Sequence, residues 1–127
     1  MPPPLFSAVA AGFPSPADPF IEQSLDLNEL MVRNPPATFF VRVDGDSMQG
    51  AGIFSGDILV VDRSLSAANG KIIVAFVNGE FTVKRLLLNG KEACLAPENP
   101  RYAPILLTPE TEFQVWGVVT YVIHKPK

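Results

Sequence analysis

The chain has 127 residues, enough for one hydrophobic core, with thirteen prolines, one cysteine (Cys94), one histidine (His124) and a net charge of −3. A single cysteine and a single histidine exclude a disulfide framework and a Cys/His zinc site, so neither a metal nor another cofactor is expected. The absence of a basic cluster argues against direct nucleic-acid binding, and no apolar run approaches the roughly 20 residues of a membrane span, so a cytoplasmic protein with a lone reduced cysteine is expected.

Eight of the prolines fall in residues 1–36 and none in residues 37–96. The same head holds Asp18, Glu22, Asp26 and Glu29 against Arg33 alone, which is the whole of the net charge. Pro2, Pro3, Pro4, Pro14 and Pro16 predict an extended arm up to about residue 16. Ala8-Val9-Ala10 has the small-residue spacing of a signal-peptide cleavage site, but residues 2–10 contain no basic residue, which argues against secretion. Asp26 followed by Glu29 forms a capping signal and predicts one short helix over residues 27–33, stopped by Pro35-Pro36.

From residue 37 the composition turns to strands. Phe39–Val43, Ile58–Val61, Lys71–Val77, Glu80–Leu88 and Lys91–Leu95 are β-branched or aromatic runs bounded by turn residues. Asn78-Gly79 and Asn89-Gly90 between them predict two linked hairpins, because such turns need positive φ. The four prolines between Glu92 and Pro109 predict mostly loop there, and a last strand over Phe113–Ile123 carries a bulge or bend at Trp116-Gly117. The expected fold is mainly β: a small barrel or sandwich-like domain of short antiparallel strands over residues 37–127, preceded by an arm with one short helix over residues 1–36.

The glycine-rich segment Gly45-Asp46-Ser47-Met48-Gln49-Gly50-Ala51-Gly52 directly follows a strand. It lacks the spacing of a P-loop or a dinucleotide fingerprint, which sets aside nucleotide binding. Two readings remain open: glycines that only turn the chain, or a serine nucleophile exposed on a turn whose backbone N–H groups face an oxyanion. A histidine base would have to be His124, whose place three residues from the C-terminus predicts an exposed strand end. Lysine is the other candidate. Strand alternation sends Lys84 and Arg85 to opposite faces, so one can stay in water while the other turns inward. An inward lysine is pushed toward the neutral form that accepts a serine proton; the competing reading pairs a solvated Lys84 with Glu80.

These residues resemble the self-cleaving Ser-Lys peptidase domains of the UmuD and LexA proteins, UmuD most closely. Ala11-Gly12-Phe13-Pro14-Ser15-Pro16-Ala17 is similar to the UmuD cleavage region, and Gly45-Asp46-Ser47-Met48 to the nucleophile motif. Gly56–Asp62, Glu80–Leu86 and Trp116–Val119 are similar to the strands that follow. The resemblance implies Ser47 as nucleophile, Lys84 as general base and Ala11-Gly12 as the scissile bond, with the backbone of Asp46, Ser47 and Met48 as candidate oxyanion hole. It further implies a LexA/signal-peptidase-like fold and a cut stimulated by a RecA filament on single-stranded DNA. The product would be a homodimer serving a UmuC-like Y-family polymerase in error-prone translesion synthesis. Eleven residues precede Gly12, fewer than is usual in UmuD proteins. The competing expectations are a non-catalytic interaction module of the same fold, and a signal-peptidase-like enzyme acting in trans, which the lack of a membrane-spanning run disfavours.

Overall fold

The computed structural model describes residues 2–6 and 21–127. Contacts divide the chain into two units, Met1–Arg33 and Asn34–Lys127.

In the first unit, strand β1 (Pro4–Phe6) pairs antiparallel with β2 (Ile21–Ser24), Pro4 opposite Ser24. The Leu25 N–H extends the ladder by donating to the Pro3 carbonyl at 2.6 Å. Neither strand was expected, since Ile21-Glu22-Gln23-Ser24 has only one β-branched residue and three prolines open the chain; what holds this pair is backbone bonding, which residue types do not report. Helix α1 (Leu27–Met31) starts where predicted, with the Asp26 carboxylate accepting the Asn28 N–H at 2.9 Å. It ends two residues short of the expected Arg33, closed by Val32 N–H to the Asn28 carbonyl at 2.8 Å.

The second unit is mainly β, as the residue pattern predicts. Seven strands, β3 (Thr38–Arg42), β4 (Ile58–Asp62), β5 (Ile72–Val77), β6 (Glu80–Asn89), β7 (Glu92–Ala96), β8 (Ile105–Leu107) and β9 (Phe113–Ile123), form one antiparallel sheet in the order β3-β4-β9-β5-β6-β7-β8. The last strand in sequence is thus inserted between β4 and β5. β8 departs from the expected loop: three residues flanked by Pro104 and Pro109 pair with β7, Leu106 opposite Cys94.

Both Asn-Gly hairpins form, in different frames. Val77 pairs with Glu80, which leaves Asn78 (φ +47°) and Gly79 (φ +88°) as the central residues, both left-handed as a type I′ turn requires. Asn89 instead pairs with Glu92, so Gly90 (φ +62°) and Lys91 are central and only the glycine has positive φ. The bend expected at Trp116-Gly117 is a bulge: Val74 faces Gly117 while Ala75 faces Val115, leaving Trp116 as the extra residue. A Cβ on Gly117 would lie 2.5 Å from Val61 Cγ1, so the close approach of β9 to β4 demands glycine there.

Successive residues of β5 feed two cores. Ile73, Ala75 and Val77 join Leu86, Leu95 and Val118 in one cluster. Val74 joins Leu59, Val61, Met48 and Ile53 in the other. Because Met48 lies in the glycine-rich segment and Ile53 directly follows it, this second core anchors that segment against the sheet. No helix among the described residues is long and apolar enough to cross a membrane.

Candidate active site

Ser47 sits between β3 and β4, and its position is built from both ends of the glycine-rich segment. At the start, Val43 N–H donates to the Asp57 carbonyl and Gly56 N–H to the Val43 carbonyl, each at 2.8 Å. Gly45 (φ +105°) and Gly52 (φ +79°) then adopt backbone angles that side chains disfavour. Between them the Met48 side chain, 3% exposed, plugs into the second core, which turns the neighbouring Ser47 outward.

Residues 98–102 clamp the same segment from the other side. Glu98 N–H donates to the Ser47 carbonyl at 2.8 Å and Gly50 N–H donates to the Glu98 carbonyl at 2.7 Å. A Cβ at position 50 would lie 2.6 Å from that carbonyl oxygen, so this bracket requires glycine. Asn99 Nδ2 donates to the Asp46 carbonyl at 2.9 Å, and the Tyr102 hydroxyl donates to Asp46 Oδ1. Among the described residues, no acceptor takes the N–H of Asp46, Ser47 or Met48.

Lys84 arrives on β6, opposite Ile73 of β5. Its residue is 9% exposed, and Nζ lies 3.0 Å from Ser47 Oγ, 2.7 Å from Thr82 Oγ1 and 3.1 Å from the Val83 carbonyl. The ion pair with Glu80 is not formed. Burial pushes the Lys84 ammonium below the usual lysine value of 10.5, toward the neutral amine. The two side chains open into a cleft of about 250 Å³ with an apolar wall of Val41, Val43, Val74, Phe81 and Val83, lined also by the charged Arg42 and Asp44. With an apolar wall, a hydroxyl and an amine in contact, the arrangement can pass a proton from Ser47 to Lys84 while Ser47 attacks a carbonyl.

Arg85 keeps 30% of its side chain in water, in line with the alternation, but it is not free there. Its guanidinium, on the face opposite Lys84, pairs with Glu98 at 2.7 Å and donates to the Gly70 carbonyl at 2.7 Å. His124 keeps 43% of its side chain exposed, yet it is more than a free strand end: Nδ1 meets Oδ1 of buried Asp57 at 2.6 Å. Burial raises the Asp57 carboxyl, but the Phe54 N–H and His124 outweigh it and hold the group below its ordinary value. Neither Ser47 nor Lys84 is a partner of His124. Cys94 is half-buried on β7, and the described residues contain no cluster that could hold a metal ion. Ala11 and Gly12 lie outside the described residues.

Thr82, Glu98, Asn99 and Tyr102 were not anticipated. Thr82 was within reach of the strand period, being two residues before Lys84 and therefore on its face. The other three lie in a proline-rich stretch with no period to read.

The family profile described as Peptidase S24-like matches residues 4–120. Protein MucA of Salmonella typhimurium is 50% identical over 114 residues, covering 89% of this chain and 77% of its own. Protein SamA of the same species is 51% identical over 125 residues, covering 98% of this chain and 86% of its own. The LexA repressor of Bordetella avium is 41% identical over 121 residues, 95% of this chain and 56% of the repressor.

Proposed function

This chain belongs to the S24-like peptidase family, with UmuD and LexA proteins as kin, and on that footing we propose that it is a self-processing serine peptidase of the DNA-damage response. The observation that carries the reading is the 3.0 Å contact between Ser47 Oγ and a Lys84 Nζ that burial drives toward neutrality.

In this reaction the neutral Lys84 amine takes the Ser47 proton as Oγ bonds to the Ala11 carbonyl carbon. The oxyanion that forms is met by the N–H groups of Asp46, Ser47 and Met48. The Lys84 ammonium then gives its proton to the Gly12 nitrogen, the Ala11–Gly12 bond breaks, and Ala11 is left as an ester on Ser47. Water, deprotonated by Lys84, hydrolyses the ester and frees residues 1–11 with Ser47 restored. Small residues on both sides of the bond suit a narrow, valine-walled cleft.

The wider role rests on the family resemblance. A RecA filament on single-stranded DNA stimulates the cut in the cytoplasm, and the trimmed homodimer joins a UmuC-like Y-family polymerase as its accessory subunit. Direct contact with nucleic acid is no part of this role.

Mass spectrometry of the purified chain over time and pH tests it. Release of an eleven-residue peptide is expected, at a rate that rises with pH through the lowered Lys84 pKa and levels off below the 10.5 of a free lysine. An N-terminus that stays intact at alkaline pH and with an activated RecA filament would sink the proposal in favour of a non-catalytic interaction module.

A further inference from the structure

Asp46 immediately precedes Ser47, and its carboxylate has an obvious local destination. Asp and Asn side chains readily accept the N–H two residues on, closing an Asx turn. Among the described residues this happens three times: Asp26 accepts from Asn28 at 2.9 Å, Asp62 from Ser64 at 2.8 Å and Asn99 from Arg101 at 3.0 Å. At Asp46 the same move would capture the N–H of Met48, one of the donors the proposed reaction needs for its oxyanion. That bond is not made. The carboxylate is instead engaged by the Tyr102 hydroxyl, while Asn99 holds the Asp46 carbonyl.

We propose that Tyr102 is a positioning residue: its phenol keeps the Asp46 carboxylate off the Met48 and Ser47 N–H groups, so that these donors remain open to the oxyanion. The proposal rests on the self-cleavage reading above and adds to it a residue that touches neither substrate nor dyad. A carboxylate left free at this place would do double harm, occupying a donor and setting a negative charge where negative charge must develop. The hydrogen bond to Asp46, and then its charge, also raise the Tyr102 pKa, which keeps the phenol a donor at the alkaline pH that frees the Lys84 amine.

The test compares Tyr102→Phe, Asp46→Ala and the double variant in the full chain, timing release of residues 1–11 by mass spectrometry beside thermal melts. Removing one half-exposed oxygen leaves the fold intact, so Tyr102→Phe is expected to melt with the unaltered chain but cut about tenfold more slowly. Asp46→Ala removes the intruding carboxylate and is expected to cut several-fold faster than Tyr102→Phe, with the double variant matching Asp46→Ala. If the hydrogen bond merely pinned the loop, Asp46→Ala would be as slow as Tyr102→Phe and the double variant no faster, and the proposal would fall. It would also fall if Tyr102→Phe cut at the unaltered rate.

Labelling of Ser47 by a fluorophosphonate supplies a second readout, because its phosphoryl oxygen enters the same donors as Ser47 Oγ bonds to phosphorus, fluoride leaves and Lys84 takes the proton. The same order of rates is expected, and equal labelling of all variants overturns the proposal. Ser47→Ala separates the two levels: if that variant still releases the peptide, the self-cleavage reading fails, whereas loss of cutting there with an unaffected Tyr102→Phe sinks only the role of Tyr102.

Discussion

Lys84 stands in a six-pair ladder between β5 and β6, directly opposite Ile73, whereas Ser47 lies on a fifteen-residue connection between β3 and β4 whose shape depends on residues about fifty positions away. The strand places its side chain through repetition: once register is set by the Asn78-Gly79 turn, every second residue shares the face of Lys84. The connection has no period. It is placed by two buried apolar side chains, Met48 and Ile53, by glycines with positive φ, and by the bracket of residues 98–102. A base borne by the sheet should therefore tolerate changes among its neighbours, while a nucleophile borne by the loop should respond to distant ones.

The sharpest way to test this contrast is to remove each partner. Ser47→Ala and Lys84→Ala are each expected to reduce self-cleavage by about a thousandfold or more, measured by peptide release. Next comes the bracket. Gly50→Ala drives a Cβ to 2.6 Å from the Glu98 carbonyl, and should slow the cut by about a hundredfold through displacement of Ser47, with a melting temperature lowered by several degrees. A volume-conserving change on β6 away from the cleft, such as Leu86→Ile, should alter the rate by no more than about threefold; a loss as large as that of Gly50→Ala would erase the distinction between the two regions.

Smaller effects report on the charges each region buries. Because burial lowers the Lys84 pKa, the unfolded chain binds the proton more tightly than the folded one, and the protein loses stability as pH falls below 10.5 through the lowered value. Lys84→Met should therefore raise the melting temperature at neutral pH by about 3 °C, and the gain should shrink as pH approaches that of free lysine. His124→Ala should lower the melting temperature at pH 6 by a similar or smaller amount, about 2 °C, and leave peptide release unchanged, since its partner Asp57 supports the turn before β4 and neither touches the dyad.

The strands and their faces were legible because their signals are local. Asn-Gly pairs, β-branched runs and the Trp116-Gly117 interruption all act within a few residues, and each appears in the sheet where the pattern put it, although the Asn89-Gly90 turn shifts by one position. Less was legible at the site. Alternation correctly separated Lys84 from Arg85, but it left open which cation turned inward and did not show that Glu98 holds the other. β1, β2 and β8 escaped because three- and four-residue strands among prolines owe their existence to a partner's backbone.

Taken alone, then, the order of residues determined the mainly β class, the hairpin turns, a glycine-rich turn around Ser47 and the placing of Lys84 and Arg85 on opposite faces, all consequences of short-range sterics and a period of two. Only the tertiary structure decided that Ser47 and Lys84 meet at 3.0 Å, that Gly50 and Gly117 are glycines for want of space, and that Tyr102 occupies the Asp46 carboxylate. Those outcomes depend on which distant segments the sheet order brings together, and no spacing along the chain encodes a contact that β9 creates by entering between β4 and β5.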